Sequence, residues 1–236
     1  MNVRINKYLA DHGYASRREA DVLVEQGKVL INGKKAVLGD KVSETDEVRV
    51  EGVEQGKKVY YAYYKPTGIV TVNAQEGEQE ILDVTEFPEK VYPVGRLDKE
   101  SEGLIIFTND GRVVDALLNP DSQHEKEYSV HVNKDITHIF LRKMQDGIDI
   151  GVVGKTRHYK TKPALVRKTG KKTFDIVITE GKNRQIRRMC GALGYKLTSL
   201  KRFRITTVEL GSLKAKQFKL LKGVELQKFL NSISLT

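Results

Sequence analysis

The chain opens with apolar residues at helical spacing and changes to strand spacing before residue 56. Ile5 and Leu9 recur one turn apart, and His12-Gly13 closes that stripe. Ser16-Arg17-Arg18-Glu19 has the S-x-x-E spacing in which a serine and a glutamate satisfy the free backbone N–H groups of a helix start, so a second helix is predicted to about Glu25, with Gly27 beyond its end. Val29-Leu30-Ile31 reads as a strand entering an Asn32-Gly33 turn, whose central residues need positive φ. Val48 and Val50 belong to a later strand. Residues 1–56 therefore read as a small helix, helix, strands module. Val53 to Lys58, with few apolar anchors between Gly52 and Gly56, reads as a linker into a larger domain over 57–236.

In that second part strand patterns dominate. Val59 to Tyr64 alternates, Lys65-Pro66-Thr67-Gly68 reads as a turn, and Ile69 to Val72 is expected to return as the partner strand. Val91 to Val94 reads as extended, Leu104 to Phe107 as a buried strand, and Val113 to Leu118 as a short helix ending near Asn119-Pro120. A strand follows from about Tyr128. Ile136, Ile139, Phe140 and Met144 predict one core-facing helix stripe. Ile148, Ile150 and Val152 alternate as a strand, as do Phe174, Ile176 and Ile178. Asn183 is expected to cap a helix that Gly194 ends, and Leu220 to Leu230 reads as a strand end and a closing helix. Such strand-rich segments broken by a few helices imply an α+β fold: a small N-terminal module plus a larger domain on a mostly antiparallel mixed sheet flanked by helices.

Composition narrows the function. No apolar run approaches the ~18 residues that span a bilayer, and Met1 to Ala10 lacks a signal-peptide core, so the expectation is a cytoplasmic protein without a membrane partner. Cys190 is the single cysteine, and His12, His124, His131, His138 and His158 show no metal-ligand spacing, so neither a disulfide nor a metal is expected. The net charge of +10 is concentrated: Lys155 to Thr236 holds 21 Lys and Arg against 4 Asp and Glu, whereas residues 57–154 hold 11 against 17. A basic region of this kind fits a polyanion such as nucleic acid. Residues 1–56 are nearly neutral, 9 against 10, so an RNA contact there would rely on one face.

Two stretches carry candidate chemistry. Gly95-Arg96-Leu97-Asp98, followed by Ser101-Glu102-Gly103-Leu104, puts one carboxylate on a loop between two apolar runs, where a rigid sheet can fix its position. Glu180 to Gly194 is the other. At 3.6 residues per turn Arg184, Arg187 and Arg188 fall within roughly 100° of one face, opposite Ile186, Met189, Cys190 and Leu193. Neighbouring like charges destabilise a helix by a few tenths of a kcal/mol per pair, so three together imply anionic partners.

These stretches resemble a known family. GRLDKESEGL is similar to the GRLDxxSxGL motif of RNA pseudouridine synthases, KPTGIVTV to their KPxG segment, HEKEY to their second motif, and EGKNRQIRRM to the third motif of the members that modify ribosomal RNA. RINKYLADHGYASRREADVLVEQGKVLINGK resembles the RNA-binding module of ribosomal small-subunit protein four. The resemblance implies Asp98 as the catalytic acid, Tyr128 as the aromatic that stacks on the target uracil, and Arg187 as the partner of Asp98. It places Arg96, Lys126, Asn183, Arg184, Gln185 and Leu200 around the substrate, and Arg4, Lys7, Arg17, Arg18, Lys28 and Arg188 against RNA, with Ser16 serving the helix start.

The implied reaction breaks the bond from uracil N1 to the ribose, turns the base and joins its C5 to the same carbon. It needs no redox cofactor, nucleotide or metal. It does need an ionised carboxylate in a dry pocket, and a guanidinium beside the acid would keep it charged. Large-subunit (23S) ribosomal RNA is the expected substrate and a monomer the expected state. The alternatives are the same reaction on small-subunit ribosomal RNA or tRNA, or a ribosome-associated RNA-binding protein without catalysis. A nuclease or glycosidase reading is disfavoured by the shortage of a second acid near Asp98.

Overall fold

The structure, a computed structural model, describes residues 2–43, 45–119, 121–154 and 156–235. In the N-terminal module β1 (Val3–Arg4) runs into α1 (Ile5–Asp11), against which α2 (Arg17–Glu25) packs. The expected capping box is present: the Ser16 N–H donates to Glu19 Oε2 (2.9 Å) and the Glu19 N–H to Ser16 Oγ (3.3 Å). β2 (Val29–Ile31) pairs with β3 (Lys34–Lys35) through a turn at Asn32 (φ 50°) and Gly33 (φ 77°). β4 (Lys41–Val42) pairs with β1, and β5 (Val48–Val50) with β2. Ile5, Leu9, Ala20, Val24, Val29 and Val42 close a core separate from the rest of the chain.

The larger part contains, in order, β6 (Tyr60–Lys65), α3 (Ile81–Val84), β7 (Tyr92–Val94), β8 (Glu102–Thr108), α4 (Gly111–Leu118), β9 (Lys126–Val132), α5 (His138–Asp146), β10 (Leu165–Lys168), β11 (Thr173–Ile178), α6 (Gln185–Ala192), β12 (Leu197–Ile205), β13 (Val208–Glu209), β14 (Phe218–Leu220) and α7 (Gly223–Ser232). Its strands form one sheet of order β10-β11-β9-β12-β8-β6-β14, with β7 added to β8 and β13 to β12. Every pairing is antiparallel except β8 with β12. Residues from α3, α5 and α6 cover one face, and residues from α4 and α7 the other. The central strands are thus buried on both sides, which explains why Leu104 to Phe107 is an unbroken apolar run: Ile105 and Phe107 enter one core, Leu104 and Ile106 the other.

Three expectations are corrected. Ile69 to Val72 does not return as a strand, because both sides of β6 are taken by β8 and β14. Its polar groups turn to the loop around Asp98 and to residue 79 instead: the Gly68 N–H donates to Lys99 O (2.8 Å), the Val70 N–H to Gln79 O (2.9 Å) and Thr71 Oγ1 to Leu97 O (2.8 Å). Ile148 to Val152 forms only an isolated bridge, Asp149 to Lys160, and Val152 is 62% exposed. On α5 the core stripe is Phe140 and Met144, while Ile139, about 100° round the helix, is 70% exposed. The end of α4 agrees at Asn119, and Pro120 lies outside the described residues.

Candidate active site

A cleft of about 660 Å³ opens where the loop before β8, the start of α6 and the ends of β9, β11 and β12 converge. That volume lies within the ~300–1,000 Å³ that small-molecule sites occupy. Asp98 and Arg96 line it from the loop, Lys126 and Tyr128 from β9, Leu200 and Arg202 from β12, and Asn183, Arg184 and Gln185 from the approach to α6. Asp98 is half-buried and Arg96 exposed. Tyr128 and Leu200 are both buried, at 7% exposure each.

The Asp98 loop is held from several sides. The Ser101 N–H donates to Asp98 O (3.0 Å), closing a turn. Thr71 Oγ1 accepts the Leu97 N–H (3.1 Å) while donating to the Leu97 carbonyl. Beneath it lies Lys65, the fully buried last residue of β6, whose Nζ donates to Pro66 O (2.8 Å), Ser101 O (2.8 Å) and Lys99 O (3.4 Å). Burial pulls the Lys65 ammonium down to about 8, against the opposing field of Asp98, Glu100 and Glu102. It is therefore the buried cation whose field reaches the Asp98 carboxylate. Sequence reading gave Lys65 a place in the Lys65-Pro66-Thr67-Gly68 turn and in the KPxG-like segment, whereas it is the buried last residue of β6.

Arg187 does not pair with the Asp98 carboxylate as expected: among the described residues no ion pair within 4.0 Å joins them. Its Nη2 donates to Glu100 O (3.0 Å) and Ser101 Oγ (3.2 Å), so it grips the loop just past the acid. Arg184 pairs with Glu100 (3.2 Å). The Arg188 Nη2 donates to the carbonyls of Ile150 and Val152, so part of the guanidinium expected to meet RNA is held by the protein itself. The three arginines thus do find acceptors, but within the protein. Asn183 is not the cap of α6; Arg184 holds that position in left-handed geometry (φ 51°). Gln185, buried in the turn, donates to Glu180 Oε1 (2.8 Å) and accepts the Lys182 N–H (3.0 Å), so its amide fixes this turn.

The floor depends on the parallel pair β8 and β12. Arg202 lies opposite Tyr128 on β9 and Gly103 on β8. A Cβ at Gly103 would overlap the Arg202 backbone, and φ is 115°, so only glycine lets these strands meet. Arg202 Nε donates to Leu104 O (2.7 Å), and the side chain is buried at 4% exposure.

In the module Arg4, Arg17, Arg18 and Lys28 are exposed, without an ion-pair partner within 4.0 Å among the described residues. Ser16 serves the helix start as expected. Lys7 differs: it pairs with Asp11 (3.0 Å) and with Asp115 on α4. Glu19 also reaches across, accepting from Tyr92 Oη and pairing with Lys90 (2.6 Å).

The RNA pseudouridylate synthase family profile matches residues 59–192, and the S4 domain profile matches residues 3–48. The chain is 42% identical over 231 residues to the dual-specificity RNA pseudouridine synthase RluF of Escherichia coli, covering 95% of this chain and 77% of that protein. It is 38% identical over 207 residues to ribosomal large subunit pseudouridine synthase B of Bacillus subtilis, covering 84% of each. A solved structure described as a crystal structure of pseudouridylate synthase superposes with a TM-score of 0.69 at 26% identity, covering 98% of this chain and 99% of that one. With the family profile matched over more than half its length and a 42% identical relative along nearly all of it, the chain belongs to the RNA pseudouridine synthases, enzymes that isomerise uridine in RNA.

Proposed function

We propose that the chain converts a uridine of 23S ribosomal RNA to pseudouridine, with residues 1–56 as the RNA-binding module and 57–236 as the catalytic domain. The observation that carries this reading is the single cleft lined by Asp98, Tyr128 and Leu200. The named activity of the large-subunit relative supports the choice of RNA. The target uridine leaves its stack, at a cost of a few kcal/mol, and stacks on Tyr128 against Leu200. Arg96, exposed at the rim, steadies the strand it leaves. Asp98 acts on the ribose or the base while the glycosidic bond breaks and re-forms through C5. Arg187 and Lys65 act through the loop, fixing where the carboxylate points.

Exposed Arg4, Arg17, Arg18 and Lys28 hold RNA phosphates on one face of the module. The enzyme works as a monomer in the cytoplasm, a state consistent with module and cleft lying on one chain. Mapping pseudouridines in total RNA from cells with and without the gene tests the reading. A 23S position modified only when the gene is present supports it, and a site confined to 16S RNA or tRNA corrects the substrate.

A further inference from the structure

Arg202 is a buried cation with unspent donors. Its Nε is taken by Leu104 O (2.7 Å), and no other hydrogen bond to its guanidinium is made among the described residues. Nη2 is buried without any acceptor, and no carboxylate lies within 4.0 Å among the described residues. Beside it, among the described residues, Lys126 donates only a long bond to His124 O (3.3 Å). Burial, and then the Arg202 charge, pull that ammonium down to about 8. Two adjacent cations without a counterion are costly in a protein interior. They sit on the cleft floor, Arg202 opposite Tyr128 on the neighbouring strand and Lys126 two residues before Tyr128 on β9.

We propose that Arg202 is a catalytic residue whose free guanidinium N–H groups, with Lys126 beside them, donate to a carbonyl oxygen of the target uracil and stabilise the negative charge gathering there as N1 leaves the ribose. The inference rests on reading the cleft as the uridine site. Depth favours the base over a phosphate, because the phosphates of a flipped nucleotide stay with the strand at the surface, whereas Arg202 is only 4% exposed. No covalent bond to Arg202 forms; the electron pair of the broken N1–C1′ bond spreads onto the carbonyl oxygens, where a positioned donor gains strength as charge grows.

The test uses the full-length chain and a synthetic RNA stem-loop carrying the modified uridine, found first in unmodified ribosomal RNA, with uridine, 2-thiouridine or 4-thiouridine at that position. Sulfur is the poorer acceptor, so one thio substitution should slow the wild-type single-turnover rate about tenfold or more, as expected for one lost transition-state hydrogen bond. Arg202→Met should lower that rate on uridine about a hundredfold with RNA affinity unchanged, and should abolish the thio effect. Arg202→Lys should recover part of the rate. A wild-type enzyme indifferent to both thio substrates would overturn the proposal whether or not the variants fold, as would an Arg202→Met enzyme that loses only affinity or keeps the thio effect. Asp98→Asn runs alongside. Unchanged turnover there overturns the reading of the cleft and the proposal with it, while an inactive Asp98→Asn beside a fast Arg202→Met overturns the proposal alone.

Discussion

The buried ammonium of Lys65 lies 2.8 Å from the carbonyl oxygen of Ser101, the residue whose hydroxyl also accepts a hydrogen bond from Arg187. Two cations far apart in the sequence therefore converge on one turn, directly after Asp98. Lys65→Met, similar in length and apolar, would leave buried carbonyls unsatisfied at roughly 1–3 kcal/mol each. The expected result is an unfolding free energy, read by urea denaturation, lowered by several kcal/mol, with turnover falling at least tenfold while RNA affinity holds. A variant with unchanged stability and rate would remove Lys65 as the support of the loop.

Gly103 offers the sharpest backbone test. A side chain there meets the Arg202 carbonyl, nitrogen and carbonyl carbon in a left-handed conformation that disfavours it. Gly103→Ala should destabilise by about 3 kcal/mol or more and part β8 from β12. Hydrogen exchange should show the loss first in the amides of these two strands. Ordinary protection would show that the strands tolerate a wider spacing.

Lys65 and Lys126 both bind their proton more weakly in the folded chain than the usual lysine, each at about 8, burial being the main cause. From pH 8 toward 10 the unfolded chain holds protons that the folded chain has released, so stability rises with pH across that window. It is lost again as pH falls through 8. Lys126→Met should flatten the rise by up to about 1.4 kcal/mol per pH unit. Denaturation at pH 8, 9 and 10 reads the slope; an identical slope in the variant would contradict the assignment.

Glu19 links the module to the sheet. Burial opposes its charge, but hydrogen bonds from Lys90, Tyr92 and Ser16 bring its carboxyl down to about 2. The stability it contributes is present above the ordinary carboxylate range and is lost as pH falls toward 2. Glu19→Gln keeps a capping side chain at the same helix position yet removes the charge facing Lys90. Protease should then cut near the 53–58 linker several-fold faster, with helix content unchanged; an equal cutting rate would show that Glu19 does not latch the module.

Much of this was legible in the chain because local rules decided it. The Ser16–Glu19 box, the Asn32-Gly33 turn and the doubly buried run from Leu104 to Phe107 each follow from period or turn chemistry. Ile69 to Val72 had strand composition, but long-range competition for the edges of β6 excluded it. Asp98, Tyr128 and Leu200 were found through motif resemblance and meet in one cleft. Arg187, expected beside the acid, holds carbonyl and hydroxyl oxygens of the loop instead and is not among the residues that line the cleft. Lys65 and Arg202 were not found as site residues, since burial of a lysine or arginine is a property of sheet packing rather than of spacing. Asn109 was missed for the same reason: its side chain accepts the Val59 N–H (2.9 Å) and donates to Lys57 O (2.9 Å), stitching the linker to the start of α4.

The central claim is that the half-buried carboxylate of Asp98 performs the isomerisation. The most direct measurement is pseudouridine formation in unmodified ribosomal RNA by purified Asp98→Asn protein, alongside its affinity for the same RNA. The account predicts wild-type affinity with no pseudouridine formed. Turnover near the wild-type rate would contradict it.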